Sequence, residues 1–229
     1  MKLLAIDTAT EACSVALWLD GDVHERFDVV PRGHAERVLP WAEALLQEAH
    51  VVRSQLDAIA VSRGPGAFTG VRLAVSLAQG LGLALDRPVV PVSTLATLAM
   101  QAPQGDVVAA SDARMGEVYL GWFRRTADGV EPLQPECVLP PAQAVLPNGS
   151  WHGVGTGFAA EQALLRKAWA QQLRSIDDQA LPHAADLVRL AVQAYGRGEA
   201  LPPEQVEPAY LRNNVALTLA EQAALRAGR

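Results

Sequence analysis

LLAIDTATEACSVALWL, Leu3–Leu19, consists of an apolar run, a short polar turn opening on Asp7, and a second apolar run, the pattern of an antiparallel hairpin. After an Asp-Gly-Asp turn a third strand follows around Arg26 to Val30, completing a three-stranded meander. The same pattern returns in VVAASDARMGEVYLGWF, Val107–Phe123, with Asp112 at the point that Asp7 holds in the first copy. In each half a glycine turn then precedes a helical stretch, RGPGAFTG (Arg63–Gly70) in the first and GVGTG (Gly153–Gly157) in the second. The implied fold is α/β, built from two similar lobes related by duplication. QAPQGD, Gln101–Asp106, is the expected hinge, dividing a first lobe, residues 1–101, from a second, residues 102–229.

Between the meander and the glycine loop, Val38, Leu39, Ala42, Leu45, Leu46 and Ala49 recur at helical spacing, with Pro40 expected in the first turn or at a kink. Leu56–Ser62 and PVVPVS read as buried strands on either side of a helix over VRLAVSLAQGLGLAL. In the second half, a helix is expected over FAAEQALLRKAWAQQL, another near Ala184–Tyr195, and an Ala/Leu-rich one at the C-terminus that packs back on the first lobe. The Pro-rich stretch Glu131–Gly149 reads as a long irregular loop.

Composition narrows the function. A net charge of −6 and no cluster of Lys or Arg argue against a chain that binds nucleic acid by itself. The N-terminus lacks the apolar run of a signal peptide, so a cytoplasmic protein with no membrane role is expected. Cys13 and Cys137 have neither disulfide-framework nor zinc-knuckle spacing, and the five histidines form no HxxxH or HExxH pair, so no metal is expected. No serine lies in a nucleophile elbow. Asp7 and Asp112 are the best-placed acids; each ends a strand beside a turn, where a carboxylate holds Mg²⁺, orients water, or caps the turn itself.

SRGPGAFTGVRLA, Ser62–Ala74, has the look of a phosphate cradle without its chemistry. Counting from Gly64, a Walker A loop would need glycine where Thr69 stands, and no lysine follows. A dinucleotide fingerprint fails as well, because its third glycine comes one residue late, at Gly70. Pro65 removes one N–H from the row that would donate to phosphate. What remains is glycine feeding a helix N-terminus, with Thr69 a possible N-cap. In the helix that follows, Ala74, Ala78 and Gly82 form a small-residue stripe beside Leu73, Leu77 and Leu81, suited to close packing inside the chain or against another subunit.

Taken together, IDTATEACSVAL, GHAERVLPWAEALL, RGPGAFTGVRLAVSLAQGLG, DARMGEVYLGWF and PAYLR (Pro208–Arg212) resemble the bacterial TsaB family of tRNA threonylcarbamoyladenosine biosynthesis proteins over nearly the whole chain. The resemblance implies an actin-like (sugar kinase/Hsp70-type) fold of two ribonuclease-H-like lobes. It also implies a non-catalytic scaffold for threonylcarbamoylation of the adenosine beside the anticodon in tRNAs reading codons that start with A. The implied partners are the catalytic relative TsaD, the ATPase TsaE and a second copy of the chain; tRNA is met only through the complex.

Against TsaD, the stretch PVVPVSTLATLAMQA places Thr94 and Leu98 where that relative carries two metal-binding histidines, so the metal site looks lost. In actin-like ATPases the first hairpin commonly carries a glycine at the point of Ala9, whose methyl narrows the approach to phosphate. Asp7, Thr8, Thr10, Gly64, Gly66, Thr69 and Gly70 are accordingly expected to be remnants of a phosphate site, with at most weak ATP or ADP binding. The partner surface is expected on His34, Arg37, Val38, Trp41, Leu45, Val71, Ala74, Leu77, Ala78, Leu81 and Gly82. A nucleotide-binding small-molecule kinase of the actin-like class is the alternative reading.

Overall fold

A computed structural model describes residues 1–30 and 32–212. The first meander forms as expected, with β1 (Lys2–Asp7), β2 (Ala12–Leu19) and β3 (Asp22–Val29) pairing antiparallel. After α1 (His34–Glu48) come β4 (Ala58–Ser62), α2 (Phe68–Leu85), β5 (Val89–Val92) and α3 (Thr94–Ala99). β4 and β5 join β1 in parallel, giving the order β3-β2-β1-β4-β5. Strand alternation assigns the two faces: Leu4, Ile6, Ile59 and Val61 meet α1 and α2, while Leu3, Ala5, Ala58 and Ala60 point the other way. Pro40 lies inside the second turn of α1, not the first.

The second lobe repeats this order element by element. β6 (Gly105–Arg114), β7 (Glu117–Arg125), β8 (Val130–Pro132) and β9 (Cys137–Leu139) precede β10 (Trp151–Val154), α4 (Ala160–Ala168), β11 (Leu173–Asp177) and α5 (Ala184–Gly196). The sheet runs β11-β10-β6-β7-β8, with β9 also on β7, so β6, β7, β10 and β11 occupy the places of β1, β2, β4 and β5. The Pro-rich stretch is therefore not all loop: its first half supplies most of β8 and all of β9, and a single 3-10 turn at Pro141–Gln143 stands where the first lobe has α1. Helix α4 is shorter than its apolar pattern predicts, because Glu161, Gln162 and Ala163 take positive φ and the chain turns into β11 from Leu173. The Ala/Leu-rich C-terminal segment expected as a helix lies outside the described residues.

The helices that follow each lobe's last strand cross over. Leu95, Leu98 and Ala99 of α3 pack with Val107, Ala109 and Phe123 of the second sheet, and Leu187, Val188 and Ala191 of α5 pack on the first. The N-terminus of α5 is capped by that first sheet, since Ser14 Oγ accepts from the Ala184 N–H at 2.9 Å and Glu25 Oε1 from the Ala185 N–H at 2.9 Å. Glu25 also holds His183 Nδ1 at 3.0 Å while Phe27 stacks on the imidazole. That carboxylate raises the His183 pKa above its ordinary 6.5, chiefly through the hydrogen bond. Glu25→Gln is expected to lower it, as read from the imidazole C–H shifts in an NMR titration; an unmoved midpoint would remove Glu25 as the cause.

Candidate functional site

The glycine loop sits against the β1–β2 turn, and the two backbones are in contact. The Ala67 N–H donates to the Ala9 carbonyl at 2.7 Å, and Thr8 Oγ1 donates to the Gly70 carbonyl at 2.7 Å. A Cβ on Gly66 would overlap the Ala9 carbonyl oxygen, and one on Gly70 the carbonyl oxygen of Thr8. Gly66 and Gly70 thus admit the chain's own β1–β2 turn. Gly64 has φ of +99° and its carbonyl accepts from the Thr94 N–H, tying the loop to the start of α3. Thr69 is not an N-cap, because α2 begins at Phe68 with Ala67 in the cap position; it lies exposed in the first turn.

Asp7 and Asp112 have matched local roles. Asp7 Oδ1 accepts from the N–H of Ala9 at 2.9 Å, and Asp112 Oδ1 from the N–H of Arg114 at 2.7 Å. Each closes its hairpin turn with its own side chain. Asp7 is 1% exposed, and burial pushes its carboxyl up to about 7 against the opposing pull of the Ala9 N–H. Thr10 Oγ1 accepts from the Ala12 N–H at 3.2 Å. The Thr8 hydroxyl is committed to the Gly70 carbonyl and Ala9 is fully buried.

Between the lobes lies a cleft of about 1280 Å³, lined by Thr8, Ala9, Thr10 and Thr69 from the first and by Asp112, Tyr119 and Gln179 from the second. The groups at its mouth carry no local sequence signal for a shared role. Arg72 lies over the Phe68 ring at 3.6 Å and donates from Nε to the Tyr210 hydroxyl at 2.7 Å. PAYLR, which enters the family resemblance without a role of its own, is the segment through which they could be found. Among the described residues no cluster of three His, Cys, Asp or Glu has the geometry of a metal site.

The residues expected at a partner surface divide. Val38, Leu45, Ala74 and Ala78 are buried in this chain's own first core, and Val71 and Gly82 are buried as well, so none of the six is open to a partner. The small-residue stripe is internal because α2 must lie close to β4 and β5; a Cβ on Gly82 would crowd Val89, Pro203 and the Arg87 carbonyl. His34, Arg37, Trp41, Leu77 and Leu81 remain partly exposed. His34 Nε2 meets the Thr10 carbonyl at 3.1 Å, and Trp41, Leu77 and Leu81 edge the core.

The outward side of α2 carries a second apolar row, Leu73, Leu77, Gly80 and Ala84, with Leu83 63% exposed beside it and open space around Gly80. The helix is long and apolar enough by composition to cross a membrane, with a mean hydropathy of 1.4, yet its inner side lies on the first sheet. Its outer side is more apolar than solvent exposure requires.

The model of the family described as TsaD, tRNA N6-adenosine threonylcarbamoyltransferase, matches residues 24–219. The tRNA threonylcarbamoyladenosine biosynthesis protein TsaB of Escherichia coli is 42% identical over 227 residues, covering 94% of this chain and 96% of its own. Its namesake in Haemophilus influenzae is 39% identical over 229 residues, covering 94% and 95%. Among solved structures, YeaZ from Pseudomonas aeruginosa superposes with a TM-score of 0.83 at 44% identity, over 92% of this chain and 99% of that one. The two mixed sheets with exchanged helices are the two-lobe actin-like fold expected from the sequence. With relatives so similar along almost their full length, the chain belongs to the TsaB family of tRNA threonylcarbamoyladenosine biosynthesis proteins.

Proposed function

We propose that this protein is the non-catalytic scaffold of threonylcarbamoyl transfer to the adenosine beside the anticodon, acting in the cytoplasm by binding and activating TsaD. TsaE joins the pair, tRNA is contacted only through the assembly, and the isolated chain pairs with itself through the same surface. The observation that carries this reading is the outward face of α2, where Leu73, Leu77, Gly80 and Ala84 offer an apolar strip to which another helix backbone has close access. Trp41 and the exposed Leu39 on α1 extend the apolar surface of this lobe. A surface that pairs two copies also accepts a relative of the same fold.

Gly80→Asp places a charge in the middle of this strip at an exposed position whose side chain would enter open space. It is expected to weaken association with TsaD by roughly 100-fold, on the order of 3 kcal/mol, in co-purification and calorimetry, with an unchanged melting temperature. Normal TsaD binding by the folded variant rejects the surface. The scaffold role is tested separately by tRNA modification with purified TsaC, TsaD and TsaE, with and without this protein; equal modification in its absence rejects that role. The kinase alternative predicts tight, Mg²⁺-dependent ATP binding by the isolated chain, and calorimetry decides it. On the reading proposed here that calorimetry shows at most weak ATP or ADP binding.

A further inference from the structure

Among the described residues the lobes touch at two separate places. At the first, α3 packs on the second sheet and α5 on the first, and neither helix lines the cleft among the described residues. At the second, residues 206–212 run from the core of one lobe to the hairpin of the other. Val206 is 1% exposed in the first lobe's core, and its carbonyl accepts from Gln79 Nε2 at 3.0 Å. The Ala209 N–H then donates to the Arg63 carbonyl at 2.7 Å, and Tyr210 meets Arg72. Arg212 ends the crossing on the β6–β7 turn. Its Nε donates to Glu117 Oε2 at 2.8 Å, and a terminal nitrogen donates to the carbonyls of Ala113 at 3.0 Å and Arg114 at 3.3 Å.

These contacts have chemistry beyond simple proximity. Arg114 and Met115 both take positive φ in the tight turn, which leaves the carbonyls of Ala113 and Arg114 pointing outward for the guanidinium to collect. The Arg212–Glu117 pair is mostly shielded, with the two side chains 18% and 29% exposed, and it is charge-assisted in both directions. Rotation of one lobe about the crossed helices would have to break this far connection, because a body pinned at two separated points does not swing about one of them.

We propose that Pro208–Arg212 is a strap that fixes the opening angle of the cleft, with Arg212 as its lock on the second lobe. Actin-like lobes pinned in this way present one constant shape, the property required of a subunit that others assemble on. The strap does not depend on which partner that is.

The test places spin labels on the exposed positions Gln47 and Lys167, one per lobe, in a Cys137→Ser background of the full chain, and measures their separation by pulsed electron resonance. The parent is expected to give one narrow distance. Arg212→Met, which keeps the apolar stem and removes every polar contact, should broaden the distribution roughly twofold and speed amide hydrogen exchange in the β6–β7 turn. Glu117→Gln removes the charge pairing but leaves both carbonyl contacts, so its broadening should be smaller. Distributions superimposable on the parent in both variants overturn the strap. A loss of stability in Arg212→Met without any widening of the distance overturns it too, since Arg212 then only supports its own turn.

Discussion

Gly70→Ala is expected to lower the melting temperature by roughly 10 °C, through a loss of about 4 kcal/mol. The added methyl would lie on the carbonyl oxygen of Thr8, a backbone atom held by β1 on one side and β2 on the other. Relief by a rotamer change is not available, because neither partner in the overlap is a side chain. Moving the turn away would break the Thr8 hydroxyl's bond to the Gly70 carbonyl and the Ala67 N–H bond to Ala9. Gly66→Ala meets the Ala9 carbonyl in the same way and should cost a similar amount. Gly80→Ala in the same helix is the control, since its Cβ would enter open space; it should match or slightly exceed the parent in stability. If Gly70→Ala melts with the parent, the loop glycines are not there for backbone packing, and a ligand-binding reason for them returns.

How much of this is legible in the residues depends on whether the signal is local. The hairpins can be read because alternation and turn chemistry sit within a few residues of one another, and their repetition yields the two lobes. The exchange of α3 and α5 between lobes leaves no such trace. Both helices are apolar on one side, and nothing in a local pattern says which sheet will cover it. The missing lysine marks the glycine loop as a poor phosphate site, but the reason for its glycines lies in Thr8 and Ala9, far back in the sequence on the first hairpin.

The small-residue stripe shows the same limit with the opposite result. Ala74, Ala78 and Gly82 stand out in the sequence because small residues admit close approach, which is true; what approaches is the chain's own β-sheet. The outward row of Leu73, Leu77, Gly80 and Ala84 is apolar too, and is distinguishable as outward only once the inward side is known. Of the two apolar faces on this helix one is core, and burial identifies it where sequence does not. An arginine placed at Ala78 would therefore test the core and not the contact.

Asp7→Asn should make the protein more stable at pH 8, by a margin that shrinks steadily toward pH 5 and closes only near the ordinary carboxylate range. Burial pushes the Asp7 carboxyl up to about 7 from its ordinary 3.8, so between those values the folded state holds a proton that the unfolded chain has released. A group of this kind contributes fully below its unfolded pKa and loses that contribution as pH rises through the folded one. A shift from 3.8 to about 7 corresponds to roughly 4 kcal/mol at most. The asparagine removes that pH-dependent loss while its amide oxygen can still accept from the Ala9 N–H, the bond that closes the turn. Urea unfolding of both proteins across pH 5–8 checks it: the parent should lose stability with rising pH and the variant should run flatter, with His183 supplying a slope common to both. Parallel pH profiles would mean that Asp7 is already ionised in the folded state and that its buried oxygen is met by a partner. A flatter profile in the variant makes Asp7 a turn-forming carboxyl that stays protonated in the folded state up to about pH 7, and a protonated acid is a poor ligand for a magnesium ion.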